Sequence, residues 1–174
     1  MRTSRVKATD EPNLVSSFKS AFVGAQGEVS SICIKYAMSA GSTRLSLWPQ
    51  KQFLALYQCI EHYSGVHYFG SDLQRVSDDP GFATGLAKRH PIHTMFGERP
   101  ALVEQDYLKA QEAFSVASFV VVDRGDICCV QCTFVNGSTR SDVLPAYIAM
   151  NLCGALKASI DMSCLMTVNP AGSA

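Results

Sequence analysis

The sequence has no long apolar run. Its first residues, "MRTSRVKATDEPN", are polar and no apolar h-region follows them, which argues against a secretory signal. The most apolar helical stretch, "YIAMNLCGALKASI" from Tyr147, is too short and too polar to span a bilayer. There is no excess of charge of one sign either, with 15 basic and 15 acidic residues, whereas a strong nucleic-acid binder usually carries a basic surplus. No G-x-S-x-G elbow, P-loop, G-x-G-x-x-G or H-E-x-x-H occurs, so the best-marked routes to hydrolysis, nucleotide binding and zinc proteolysis are unsupported. The seven cysteines are odd in number and irregularly spaced, mostly within apolar runs, and read as reduced core thiols rather than a disulfide framework. A soluble, cytoplasmic protein without a membrane partner is expected.

What is present is a repeat. "GSTRLSLWP" begins at Gly41 and "GSTRSDVLP" at Gly137. A tetrapeptide match alone arises by chance in about one chain in five at this length and ordinary amino-acid usage, but the flanks extend it. The same offset of 96 pairs Cys33 with Cys129, Pro49 with Pro145 and Leu56 with Leu152, and keeps apolar character at Ile34/Val130, Met38/Phe134, Leu47/Val143 and Ile60/Leu156. Two copies of one folding unit follow, too few for a solenoid.

With 47% apolar residues over 174, the chain can bury a real core. In the first copy, Phe18–Ala25 and Glu28–Met38 read as two strands, Thr43–Leu47 as a third, and "PQKQFLALYQCIEHY" as a helix with Phe53, Leu56, Tyr57 and Ile60 on one face. The second copy writes "FSVASFVVV", a "DRGD" turn, "ICCVQCTFV", an "NGS" turn, "TRSDVL", and a helix from Pro145 with Ile148, Leu152, Leu156 and Ile160 on one face. Glycine supplies the left-handed turn residue and proline starts the helix. The predicted class is α+β: tandem pseudo-symmetric β-β-β-α units forming antiparallel sheets with helices packed on one face. The predicted organisation is a flexible segment 1–12, a first unit 13–64, a connection 65–113, a second unit 114–168 and a tail 169–174. Within the connection, Phe82, Ile92, Met95 and Phe96 are expected to pack, and "ALVEQDYLKAQEAF" is expected to be helical with Leu102, Val103, Tyr107 and Leu108 inward. "SCLMTV" (163–168) reads as one more strand. The order of elements resembles in outline the tandem sheet-plus-helix modules of whirly and PUR-type proteins, and that resemblance, which is of topology, implies single-strand binding on a curved sheet.

Only the arginine of the repeat lacks a local reason. If the halves pack about a pseudo-two-fold axis, Arg44 and Arg140 take equivalent places and, with Ser42, Thr43, Ser138 and Thr139, form a paired fork for a phosphate or carboxylate. The plainer alternative is a solvated arginine on an edge strand. Cys129-x-x-Cys132 invites a metal reading, but strand alternation sends those two side chains to opposite faces and puts Cys128 with Cys132. Cys59, His62, His90 and His93 are the ligand types of a zinc site that nothing in the sequence brings together. Arg124-Gly125-Asp126 reads as a hairpin tip, and Lys88, Arg89 and His90 form a small basic cluster next to aromatic residues. Residues 1–50 carry six bases against three acids and residues 101–174 four against seven, so the halves differ in sign, and head-to-tail homo-oligomerisation is one outlet for that polarity. The expected function is a non-enzymatic binding or adaptor protein acting on a protein partner, with no catalytic residue, metal or cofactor. The alternative is single-stranded nucleic-acid binding through Arg44, Arg140 and the 88–90 cluster, and a weaker one is a small-molecule or zinc-dependent enzyme.

Overall fold

The computed structural model describes residues 12–24, 31–65 and 99–172, with side chains as far as Ile160. Three strands, β1 (Val15–Val23), β2 (Ser31–Met38) and β3 (Thr43–Pro49), lead into α1 (Gln50–Ser64). After a short helix, α2 (Glu104–Ala113), the order recurs: β4 (Val116–Asp123), β5 (Ile127–Phe134), β6 (Thr139–Pro145), then α3 (Ala146–Gly172). Each trio is an antiparallel sheet in sequence order.

The duplication extends to backbone detail. Gly41 and Gly137 hold φ of +98° and +87°. Each donates its N–H to the residue three before it, Met38 and Phe134, at 2.9 Å, and those residues in turn bond the carbonyls of Ser42 and Ser138 at 2.8 Å. Glycine is required because a side chain in that left-handed region is strained. Both sheets also carry the same register slip, between Val15 and Ser17 against β2 and between Val116 and Ser118 against β5. Such a bulge turns the strand and breaks its alternation, which is why β1 begins three residues before the expected Phe18. For the first strand of each unit the offset is therefore 101, Val15 matching Val116, because the first strand and its connection to the second are together five residues longer in the first copy.

The sheets meet symmetrically. The residue before each first strand makes one parallel bridge to the last strand of the other sheet, Leu14 to Val143 and Ser115 to Leu47. Each helix then packs on the opposite half as well as on its own, α1 against β4 and α3 against β1, and the two helices lie against each other. One core results, joining Ile32, Ile34, Tyr36 and Trp48 of the first sheet to Val130, Phe134 and Leu144 of the second, with Phe53, Leu56 and Ile60 of α1 and Ile148, Leu152 and Leu156 of α3. Trp48 meets Phe119 edge to face at 5.2 Å across the halves.

The outer faces of the two sheets differ. On the first, α2 covers Cys33, Leu45 and Leu47 with Ala110, Leu102 and Tyr107. The Asp106 carboxylate accepts from its own helix's Val103 N–H at 3.0 Å and from Lys35 of β2 at 2.9 Å. Tyr107 and Leu102 thus face inward as expected, whereas Val103 and Leu108 are each 54% exposed, because a helix that crosses the sheet with Tyr107 and Ala110 beneath it turns Leu108 to the far side. The segment "SCLMTV" is helical, not a strand: α3 runs through it to Gly172, there being no glycine or proline between Ile160 and Val168 to stop the helix. No helix among the described residues is long and apolar enough to cross a membrane. Residues 1–11, 25–30 and 66–98, with the expected strand ends at Ala25 and Glu28 and the expected contacts of Phe82, Ile92, Met95 and Phe96, lie outside the described residues.

Candidate functional site

The two arginines of the repeat come together, and the anion between them belongs to the chain itself. Arg44 donates from Nη1 to the Ser141 carbonyl and to Asp142 Oδ1, both at 2.9 Å. Arg140 donates from Nη1 to the Leu45 carbonyl at 2.7 Å, and from Nη2 and Nε to Asp142 Oδ2 at 3.0 and 3.2 Å. Ser141 and Leu45 are themselves matching positions, so each arginine crosses the interface to the residue that follows its counterpart. That is the physical reason for the arginine in both copies. It ties one half to the other.

The carboxylate breaks the symmetry. Asp142 is 1% exposed and its match in the first copy is Ser46, which accepts the Trp48 Nε1–H at 2.9 Å. One acid therefore serves two guanidinium groups, whose side chains are 21% and 13% exposed. The Arg140 guanidinium also lies over the Phe134 and Phe114 rings, 5.0 and 5.7 Å from their centroids, a stacking that lysine could not reproduce. Arg44 Nη2 continues outward to Asn13 Oδ1 at 2.7 Å and the Pro12 carbonyl at 3.2 Å. Neighbouring Tyr36 is fully buried, and burial first, then the Asp142 charge, holds its phenol well above the ordinary range. Sequence reasoning missed Asp142. The available signal was its place two residues from Arg140 and two from Leu144, which puts all three on the inner face of one strand.

The serines and threonines of the repeat have other tasks. Ser138 donates from N and Oγ to Asn136 Oδ1, at 2.9 and 2.6 Å, within the turn. Ser42 holds the matching turn through its carbonyl, and Thr43 and Thr139 open exposed strand ends. Lys88, Arg89, His90 and His93 lie outside the described residues.

The thiols are placed as alternation predicts, with Cys128 and Cys132 in the main core and Cys129 on the outer face beside Ile127 and Val143. Burial pushes the Cys128, Cys132 and Cys153 thiols up to about 12 and the Cys33 thiol up to about 11, which keeps them protonated and poorly nucleophilic. Cys59 is exposed, and among the described residues no three His, Cys, Asp or Glu side chains form a metal cluster. Arg124-Gly125-Asp126 is the β4–β5 hairpin tip, with Gly125 at φ +84° and its N–H on Asp123 Oδ1 at 2.9 Å.

The remaining feature is a groove of about 540 Å³ along the second sheet, lined by Ser118, Val120, Gln131, Thr133, Thr139 and Ser141, and also by Asn13, Phe119, Cys132 and Arg140. Its floor is polar and β-branched, and Val120 is 58% exposed. Neither protein-family models, nor curated proteins, nor solved structures give a match to this chain.

Lys35–Asp106 and Arg44–Asp142 each join a base of the first half to an acid of the second.

Proposed function

We propose that the chain is a non-enzymatic binding protein that holds a protein partner against the outer face of its second sheet. The observation that carries this reading is the inequality of two faces that the repeat makes equivalent. Among the described residues, the first is closed by α2, while the second presents the groove with Val120 and Thr139 exposed. Exposed β-branched and hydroxyl side chains on a rigid sheet suit a protein surface, offering apolar area with hydrogen-bonding groups around it. Arg44 and Arg140, which would otherwise invite a phosphate, already hold the Asp142 carboxylate and backbone carbonyls, so that Arg140, the one cation in the groove lining, is already paired. The high thiol pKa values of the buried cysteines weigh against a cysteine nucleophile.

A photo-reactive amino acid placed at Val120 in native cells should capture a partner that the same group at Leu108 on α2 does not. Thr139→Arg, at an exposed strand end, should abolish that capture without changing the melting temperature. Equal capture from both positions, or capture indifferent to Thr139→Arg, would refute the reading.

A further inference from the structure

The repeat also makes β1 and β4 equivalent, each standing at the edge of its own sheet, and only one of the two is guarded. Under the offset of 101, Lys19 of β1 stands where β4 has Val120. A lysine in the middle of an edge strand is a device that keeps edges from pairing. β4, written "VASFVVVD", has no lysine and no proline, and its one charge is at its last residue.

Which backbone groups of β4 face outward follows from its ladder. Arg124 donates its N–H to the Ile127 carbonyl at 3.0 Å across the hairpin. The alternation of an antiparallel pair then sends the groups of Val122, Val120 and Ser118 toward their partners Cys129, Gln131 and Thr133. The N–H and C=O of Val121 and Phe119 point the other way, and among the described residues no hydrogen bond reaches them. The edge is closed two residues before Phe119, where Gln52 Nε2 of α1 donates to the Ala117 carbonyl at 2.7 Å. Side chains alternate in the same rhythm. Val120 is exposed on the outer face, while Phe119 and Val121 pack inward on the core.

This edge is complementary to itself. In an antiparallel pair of two β4 strands centred on Val120, Phe119 of each chain lies opposite Val121 of the other, and their outward groups exchange both backbone hydrogen bonds. Val120 meets Val120 on the two-fold axis as a close, non-hydrogen-bonded pair, and Ser118 meets Val122. Asp123 falls opposite Ala117, so no charge faces a like charge. The same construction on β1 sets Lys19 against Lys19, which is repulsive.

We infer that β4 is a dimerisation edge, at which a second copy of this chain adds its own β4 antiparallel about Val120 and joins the two second-unit sheets into one. The same strand serves both chains, so the assembly is isologous and closes at two copies. Both outer faces then lie on one side of the joined sheet. The pairing uses the edge of β4 and does not rest on the reading of the groove.

The test uses the full chain. Sedimentation equilibrium should show monomer and dimer in exchange, and Val120→Lys, which copies the guarded strand, should raise the dissociation constant roughly tenfold at an unchanged melting temperature. With Cys59→Ser throughout to remove the exposed native thiol, Val120→Cys treated with oxidised glutathione should give a disulfide-linked dimer. A mixture of Ser118→Cys and Val122→Cys chains should link to each other, and exposed Leu108→Cys on α2 should link far less. These links decide the matter even if Val120→Lys proves less stable. A chain monomeric at every concentration, a Val120→Lys chain that dimerises like the wild type, or equal linking at positions 108 and 120 would overturn the pairing. A dimer that captures no foreign protein at Val120 leaves the pairing standing and sinks the partner reading; capture by a strictly monomeric chain does the reverse.

Discussion

Replacing Asp142 by alanine should unfold the protein several degrees earlier, and the size of the effect follows from what the carboxylate leaves behind. Its side chain is 2% exposed and receives three charge-assisted hydrogen bonds from two guanidinium groups. Without it, Arg44 and Arg140 keep their carbonyl partners but face each other without a counter-ion. Removing one member of a buried ionic group costs about 3–5 kcal/mol; because the arginines retain 21% and 13% exposure, the lower end, about 3 kcal/mol, is expected. At roughly 2–4 °C per kcal/mol for a chain of this size, the melting temperature should drop by about 6–12 °C. The decisive comparison is the triple variant Arg44→Met, Arg140→Met, Asp142→Leu, which removes charge and partner together and should recover much of the loss. Thermal melts followed by circular dichroism measure both. A loss under about 1 kcal/mol in the single variant, or a triple variant as damaged as the single, would refute the argument that an uncompensated pair of cations is the cost.

Gly41→Ala and Gly137→Ala should each cost about 1 kcal/mol, visible as similar small drops in melting temperature, since the added carbon meets nothing within 4 Å and only the positive φ penalises it. Ser46→Ala leaves the buried Trp48 N–H without its acceptor and should cost about 1–3 kcal/mol, with a shift in tryptophan emission that Ser42→Ala does not produce. The buried thiols have folded pKa values of about 11 for Cys33 and about 12 for Cys128, Cys132 and Cys153. Unfolded thiols ionise near 8.5, so between that pH and the folded values the unfolded chain releases protons that the folded chain keeps, and stability should fall as pH rises. Urea midpoints measured from pH 8 upward check this. At neutral pH, iodoacetamide should label exposed Cys59 and spare these four.

The fold was legible because both copies keep the same alternation and the same helical spacing. Ile34 and Val130 lie on one inner face, and Leu56 with Leu152 and Ile60 with Leu156 meet in one core, as their spacing requires. The strand starts were not legible, because the bulges at Ser16 and Ala117 interrupt the period from which a strand is read. In the candidate site, the pairing of Arg44 with Arg140 could be read from the repeat, but their shared carboxylate was marked only by its spacing from Arg140 and was missed. In "TRSDVLP" the consecutive residues Asp142, Val143 and Leu144 are all buried, since Leu14 and Ile127 cover Val143 on the outer face at that end of β6, and a stretch covered on both sides loses the alternation that would have marked Asp142 as inward. The groove was hidden for another reason. It exists only as a contrast with α2.

Trp48 is the chain's only tryptophan, and it meets Phe119 of the other copy edge to face. Its fluorescence therefore monitors the junction of the halves and neither half alone. Because each arginine is satisfied by the opposite copy, a half that opened would strip the other of hydrogen-bond acceptors, so the two-unit chain should melt as one cooperative body, with the tryptophan signal and the helical signal lost at the same temperature.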